Sequence, residues 1–172
     1  QIAITVNNCA WMIVTSIGAA TTIRVSHCYG ARDIDRLSLA AKASYHLILA
    51  WNGLATVAFI VLRHFIPQLF TSNAEVIAIT ADLMLFVALF QLSDGLQNIS
   101  VGILRGLQDV RIITPIAVIS YWILNLPVGY FFGFTLGMGP SGLFLGYFVG
   151  LTVAAAMMMT RIRRTIRRLR TA

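Results

Sequence analysis

Residues 112–160 contain no Asp, Glu, Lys or Arg. No other feature of the chain restricts its fold more. A soluble domain of this size has too little interior to hide such a run. In lipid the backbone polar groups of the run must be satisfied internally, which leaves helices or closed barrels. The rest of the chain agrees. Of its 172 residues, 58% are hydrophobic and 11% charged, less than half the ~25% charge of a soluble domain. That excludes disorder, which needs low hydrophobicity and high charge. Cys9 and Cys28 are too few for a disulfide scaffold and read as free apolar residues. The expected class is all-α, a polytopic membrane helix bundle.

Five spans are read, at 1–23, 45–62, 76–104, 112–134 and 142–160. A hydrocarbon core of ~30 Å needs about 17–25 residues of helix. Only the third span exceeds that, and it must tilt or protrude. The last two spans are divided by Gly137, Gly139, Pro140 and Gly142. Basic residues fix the orientation through the positive-inside rule. One side receives Arg24, Arg32, Arg36, Lys42, Arg105, Arg111 and the six arginines from Arg161 to Arg170; the other receives Arg63 alone. The formal net charge of +7 therefore reports membrane topology and not nucleic-acid binding. The expected location is the plasma membrane, with a cytoplasmic C-terminus. Residues 161–172 form a basic tail with Ile162, Ile166 and Leu169 at helical spacing. The tail is either an amphipathic helix on an anionic leaflet or a plain topology anchor. Residues 37–44 read as an interfacial helical turn leading into the second span. The first residue already lies inside an apolar segment, so a piece of a longer chain is expected.

The third span carries the main functional signal. Asp94 lies 11 residues before Arg105, about 16 Å deep at ~1.5 Å per residue. A carboxylate there costs on the order of 3 kcal/mol and needs a partner, water, a cation or a proton. Gln91, Gln97 and Asn98 surround it at i−3, i+3 and i+4, with Phe90 at i−4. Carboxylate and amide oxygens in such a strip suit a hard monovalent cation. No other metal site is read. Asp82 sits nearer the outer end, where water solvates it. In the first span Gln1, Asn8, Thr15 and Thr22 recur every seventh residue beside Trp11. That stripe is either a cavity wall or a helix–helix contact. Pro127 interrupts the fourth span, as a hinge or as fixed shape. Arg105 and Asp109, four apart at a helix end, are expected to pair. His27, His46 and His64 fall near interfaces and read as solvated. No nucleophile, phosphate loop or zinc spacing points to an enzyme.

Three stretches carry a resemblance: IRVSHCYGARD (23–33), FQLSDGLQNISVGILRGLQDVR (90–111) and YWILNLPVGYFFGFTLGMGPSGLFLGYFVG (121–150). Their joint order resembles the multidrug and toxic compound extrusion family, NorM-like branch, over helices eight to twelve. The resemblance implies twelve helices in two lobes that export cationic, amphipathic small molecules by Na⁺- or H⁺-coupled antiport. It implies no cofactor, and a preceding N-terminal lobe as partner. It matches Asp94 to the family's cation-coupling carboxylate on its tenth helix. Phe90 stands where some relatives have Tyr, which leaves a π face in place of a hydroxyl. Gln1 and Trp11 match drug-cavity positions. Two rival readings remain at this point. One is a lipid-linked oligosaccharide flippase of related helix plan, which would need a basic cavity. The other is a non-transporting membrane scaffold, in which the polar stripes only join helices.

Overall fold

A computed structural model describes residues 2–63, 65–68, 70, 73–135 and 140–171; the side chains of 2–4, 6, 7, 9, 74, 82, 83, 86, 140, 141 and 144 also lie outside the description. Gln1, Gly137, Gly139, His64 and the side chains of Cys9 and Asp82 therefore lie outside the described residues. The chain forms α1 (Ile2–Gly30), α2 (Ile34–Val61), α3 (Phe65–Gln68), α4 (Ala74–Gly106), α5 (Ile113–Val118), α6 (Leu126–Tyr130) and α7 (Pro140–Thr171). A 3₁₀ turn (Val110–Ile112) and two π-helical segments (Ile119–Asn125 and Phe131–Thr135) join α5 and α6 into one helical stretch, Val110–Thr135. No strand occurs among the described residues.

Helix starts follow local chemistry. Asp33 caps α2, its Oδ1 accepting the Arg36 backbone N–H at 2.9 Å. Asn73 caps α4 by accepting from the N–H groups of Glu75 (3.0 Å) and Val76 (3.4 Å). Glu75 in the first turn adds a favourable dipole contact. These caps place the helix ends well outside the apolar runs. α1 continues seven residues past Ile23, because Val25 and Cys28 are core residues. α2 starts at Ile34 because Leu37 and Ala41 are buried, so residues 37–44 are a regular part of it.

The basic tail is the last third of α7. Ile162 is buried, and Ile166 and Leu169 pack against the same apolar cluster. The stripe thus faces the bundle and not a leaflet. Arg161 Nε donates to Asp109 Oδ2 at 2.7 Å, and Arg170 Nη2 to Asp35 Oδ1 at 2.8 Å. The expected Arg105–Asp109 pair is not what forms. α4 ends at Gly106, and Gln108 takes φ of 60°. The chain leaves helical spacing there, and Asp109 turns to α7.

α4 is the central helix, packing on α1, α2 and α7. Val14, Leu37, Ile48, Ile99, Ile103, Leu104 and Met158 form the core around it. α7 meets the Val110–Thr135 stretch through Gly142, Gly146 and Gly150. A Cβ on Gly146 would lie 2.7 Å from Gly129 Cα, and one on Gly150 2.8 Å from Asn125 Cβ. Small residues every fourth position are the usual device for close helix contact in lipid. Trp122, Leu126, Tyr130 and Phe134 are exposed on the outside of that stretch. Among the described residues, three segments are long and apolar enough to cross a membrane: Ile34–Val61, Val110–Thr135 and Leu145–Thr171.

Candidate functional site

α1, α4 and the Val110–Thr135 stretch line an open cleft of about 410 Å³. α4 lines it with Asp94, Gln97, Asn98, Val101 and Arg105. These recur at i, i+3, i+4, i+7 and i+11, one face of a helix. α1 contributes Trp11, Thr15, Gly18 and Thr22, at i, i+4, i+7 and i+11. The two faces approach closely within this lining. There the Thr22 hydroxyl lies 3.0 Å from both the Gly18 and Gly102 carbonyls, so its one hydrogen is shared between them.

Asp94 is half-buried and forms no ion pair among the described residues. Asn98 shares its face. Opposite, Tyr121 donates its hydroxyl to Gln97 Oε1 at 2.7 Å. The backbone beneath Tyr121 is unusual, and Pro127 bears on it. Proline has no N–H to donate and crowds the preceding turn. The π segment ends immediately before, and the Leu126 N–H reaches back five residues to the Tyr121 carbonyl. That wide turn sets the direction in which Tyr121 leaves the helix.

The sequence-predicted residues divide as follows. Asp94, Asn98, Trp11 and Thr15 meet at one cavity, and the Thr15 hydroxyl is tied to its own helix at Met12 O, 2.8 Å. Gln91, expected on the same strip, is fully buried and does not line the cavity; its backbone carbonyl accepts from Asn52 Nδ2 at 2.8 Å. Its side-chain amide has no hydrogen-bond partner among the described residues. Phe90 packs against an apolar cluster of Ala10, Phe59, Met84, Val87 and Ala88. Asn8 is exposed, one turn before Trp11. Gln1 lies outside the described residues. Thr22, expected in the α1 stripe, also lines the cavity; Tyr121 was not expected there, and Gln97 was expected only as a neighbour of Asp94. Nothing in the sequence brings Tyr121, 27 positions after Asp94, to its face.

Chemically the cavity offers a carboxylate, amide oxygens and a phenol, the donor set of a hard monovalent cation or of an exchangeable proton. The half-exposed Trp11 ring adds a π surface for an organic cation.

The sequence profile of the MatE family matches residues 1–131. This chain belongs to the MatE family. The multidrug resistance protein MdtK of Photorhabdus laumondii is 40% identical over 166 residues, which are 94% of this chain and 36% of that protein. A probable multidrug resistance protein NorM of Xanthomonas axonopodis pv. citri is 40% identical over 169 residues, 98% of this chain and 37% of that protein. This MatE chain thus spans little more than a third of the length of the curated relatives it matches. Among solved structures, an inward-facing multidrug resistance MATE family transporter superposes with a TM-score of 0.88 at 16% identity, over 99% of this chain and 39% of that one. The eukaryotic MATE transporter AtDTX14 gives 0.86 at 20% identity, over 99% of this chain and 39% of that one. The bundle is a MatE membrane fold, and the MatE family consists of transporters, not enzymes.

Proposed function

We propose that this chain is the second-half membrane bundle of a secondary multidrug exporter that exchanges a cation, Na⁺ or H⁺, for cationic amphipathic drugs. The observation that carries the reading is Asp94, a half-buried carboxylate without an ion-pair partner among the described residues, facing a polar cavity in the middle of a long helix. A scaffold carboxylate would be closed off by a partner. A flippase cavity for a pyrophosphate would be basic, whereas Arg105 is the only Lys or Arg here among the described residues.

In this mechanism Asp94 opens to one side of the membrane at a time as two lobes rock. Outside, the coupling ion enters and binds the carboxylate. It displaces a drug cation held by the same charge and by the Trp11 ring. Inside, the ion leaves and the charge is restored. Asn98 and the Gln97–Tyr121 pair supply neutral oxygen ligands around it. Gln91 and Phe90 support the α4 segment above it, and Asn8 continues the α1 wall. An N-terminal lobe supplies the opposite wall. The basic end of the bundle faces the cytoplasm in a bacterial inner membrane.

The test is Asp94→Asn in the full-length protein, with ethidium efflux measured while Na⁺ and pH are varied separately. The expected result is normal insertion with coupled efflux reduced at least about a hundredfold, the scale for losing an essential charge. Normal efflux in the variant would overturn the assignment.

A further inference from the structure

A second and larger cavity, about 800 Å³, lies on the side of α4 opposite to Asp94, between the first half of α2 and the last third of α7. Its size falls within the ~300–1,000 Å³ of ligand sites. Its walls are asymmetric. The inner part is mainly apolar, with Leu49 from α2, Leu96 from α4 and Met159 from α7, and Tyr45 and His46 lie between it and Lys42. Towards the end of the bundle it becomes basic, with Lys42 facing Arg163 and Arg167. Those arginines are four apart, so they stack on one face of α7. No carboxylate lies within ion-pair distance of Lys42, Arg163 or Arg167 among the described residues. Arg170, one turn further, is already engaged by Asp35 and closes the end of the groove.

The α7 tail could have buried its apolar stripe without this arrangement. Ile162 and Ile166 serve both purposes: they pack on the core and floor the groove. An anion alone would gain nothing from the apolar floor. A neutral lipid would gain nothing from three uncompensated cations. A drug cation would be repelled.

We infer that this groove is a binding site for one anionic phospholipid of the bilayer, with its phosphate between Lys42 and the Arg163–Arg167 pair and an acyl chain along Leu49, Leu96 and Met159. Basic pockets between membrane helices at the headgroup level are the expected seats of such lipids. The inference requires only that the bundle sits in a membrane, and it stands or falls independently of drug export.

The test uses the natural full-length protein in detergent micelles doped with phosphatidylglycerol or phosphatidylcholine, with bound lipid counted by native mass spectrometry. Wild type is expected to retain one phosphatidylglycerol and no phosphatidylcholine, and glycerol 3-phosphate should not compete. The triple variant Lys42→Gln, Arg163→Gln, Arg167→Gln should weaken retention by roughly a hundredfold. The double variant Arg164→Gln, Arg168→Gln, which removes charge outside the groove, should not. Leu49→Trp, which fills the apolar floor and keeps every charge, should also abolish retention; it decides the matter if the triple variant does not fold. Equal retention of both lipids overturns the proposal. So do competition by glycerol 3-phosphate, retention by the triple variant or by Leu49→Trp, and a wild-type protein that retains no lipid because another part of its chain fills the groove.

Discussion

Among the described residues, the Tyr121 hydroxyl makes one hydrogen bond in the site, to Gln97 Oε1 at 2.7 Å. Tyr121→Phe removes that donor and little else. A neutral hydrogen bond contributes about 1 kcal/mol net. The expected outcome is a fold that melts within a few degrees of wild type and ethidium efflux reduced several-fold, far less than in Asp94→Asn. Parallel thermal melts and transport assays on the two variants check this ranking. The difference also shows what the sequence could disclose. Asp94 and Asn98 share one helix, so the 3.6-residue repeat suffices to group them. Gln91 obeys the same arithmetic, yet it is fully buried. A helical wheel gives direction but not the height at which a neighbouring helix closes over a residue. Tyr121 needs both the packing of a second helix onto α4 and a π turn; hydropathy shows that helix, but its contact with α4 and the π turn have no local sequence signal.

Among the elements, the α7 contact with Val110–Thr135 is the most exacting. The backbones meet at Gly146 and Gly129, where an added Cβ would lie 2.7 Å from a Cα. Gly146→Val forces the two helices apart, and overpacking of this kind costs roughly 1–3 kcal/mol. The expected outcome is a lowered melting temperature, read by dye-monitored unfolding in detergent, with Asp94 untouched. Five long helical elements were legible because lipid imposes apolar runs of fixed length. Their ends were not, because hydropathy records the surrounding solvent while a helix stops where its caps allow. Asp33 and Asn73 are such caps, and both stand in the sequence as ordinary starting signals. The α7 tail lacks any stop signal, and the helix runs through all its arginines.

At the scale of the whole molecule, the ion pairs Arg170–Asp35 and Arg161–Asp109 bring the last third of α7 to the first turn of α2 and to the turn that follows α4. Twelve of the 13 Lys and Arg residues belong to that end of the bundle. With a cytoplasmic basic end, a cysteine at Thr171 should react with a membrane-impermeant maleimide only after cells are permeabilised. A cysteine at Asn73 should react in intact cells. The assay is run on full-length protein with every native cysteine, Cys9 and Cys28 included, replaced by Ala, and reversed labelling would invert the topology. Charge asymmetry along the chain was enough to anticipate this gathering. The pairs that fasten it were not legible, since each joins segments more than 50 positions apart.

The π turn between Ile119 and Asn125 gives this helix one residue more than the neighbouring turns need. An α-helix advances by about 100° per residue, so removing one residue between positions 122 and 125 re-phases everything before the gap against everything after it. If the glycine seam with α7 stays fixed, the phenol at position 121 swings away from the chamber around Asp94. The segment therefore works like a vernier: sequence length, and not only sequence identity, sets which side chain looks inward.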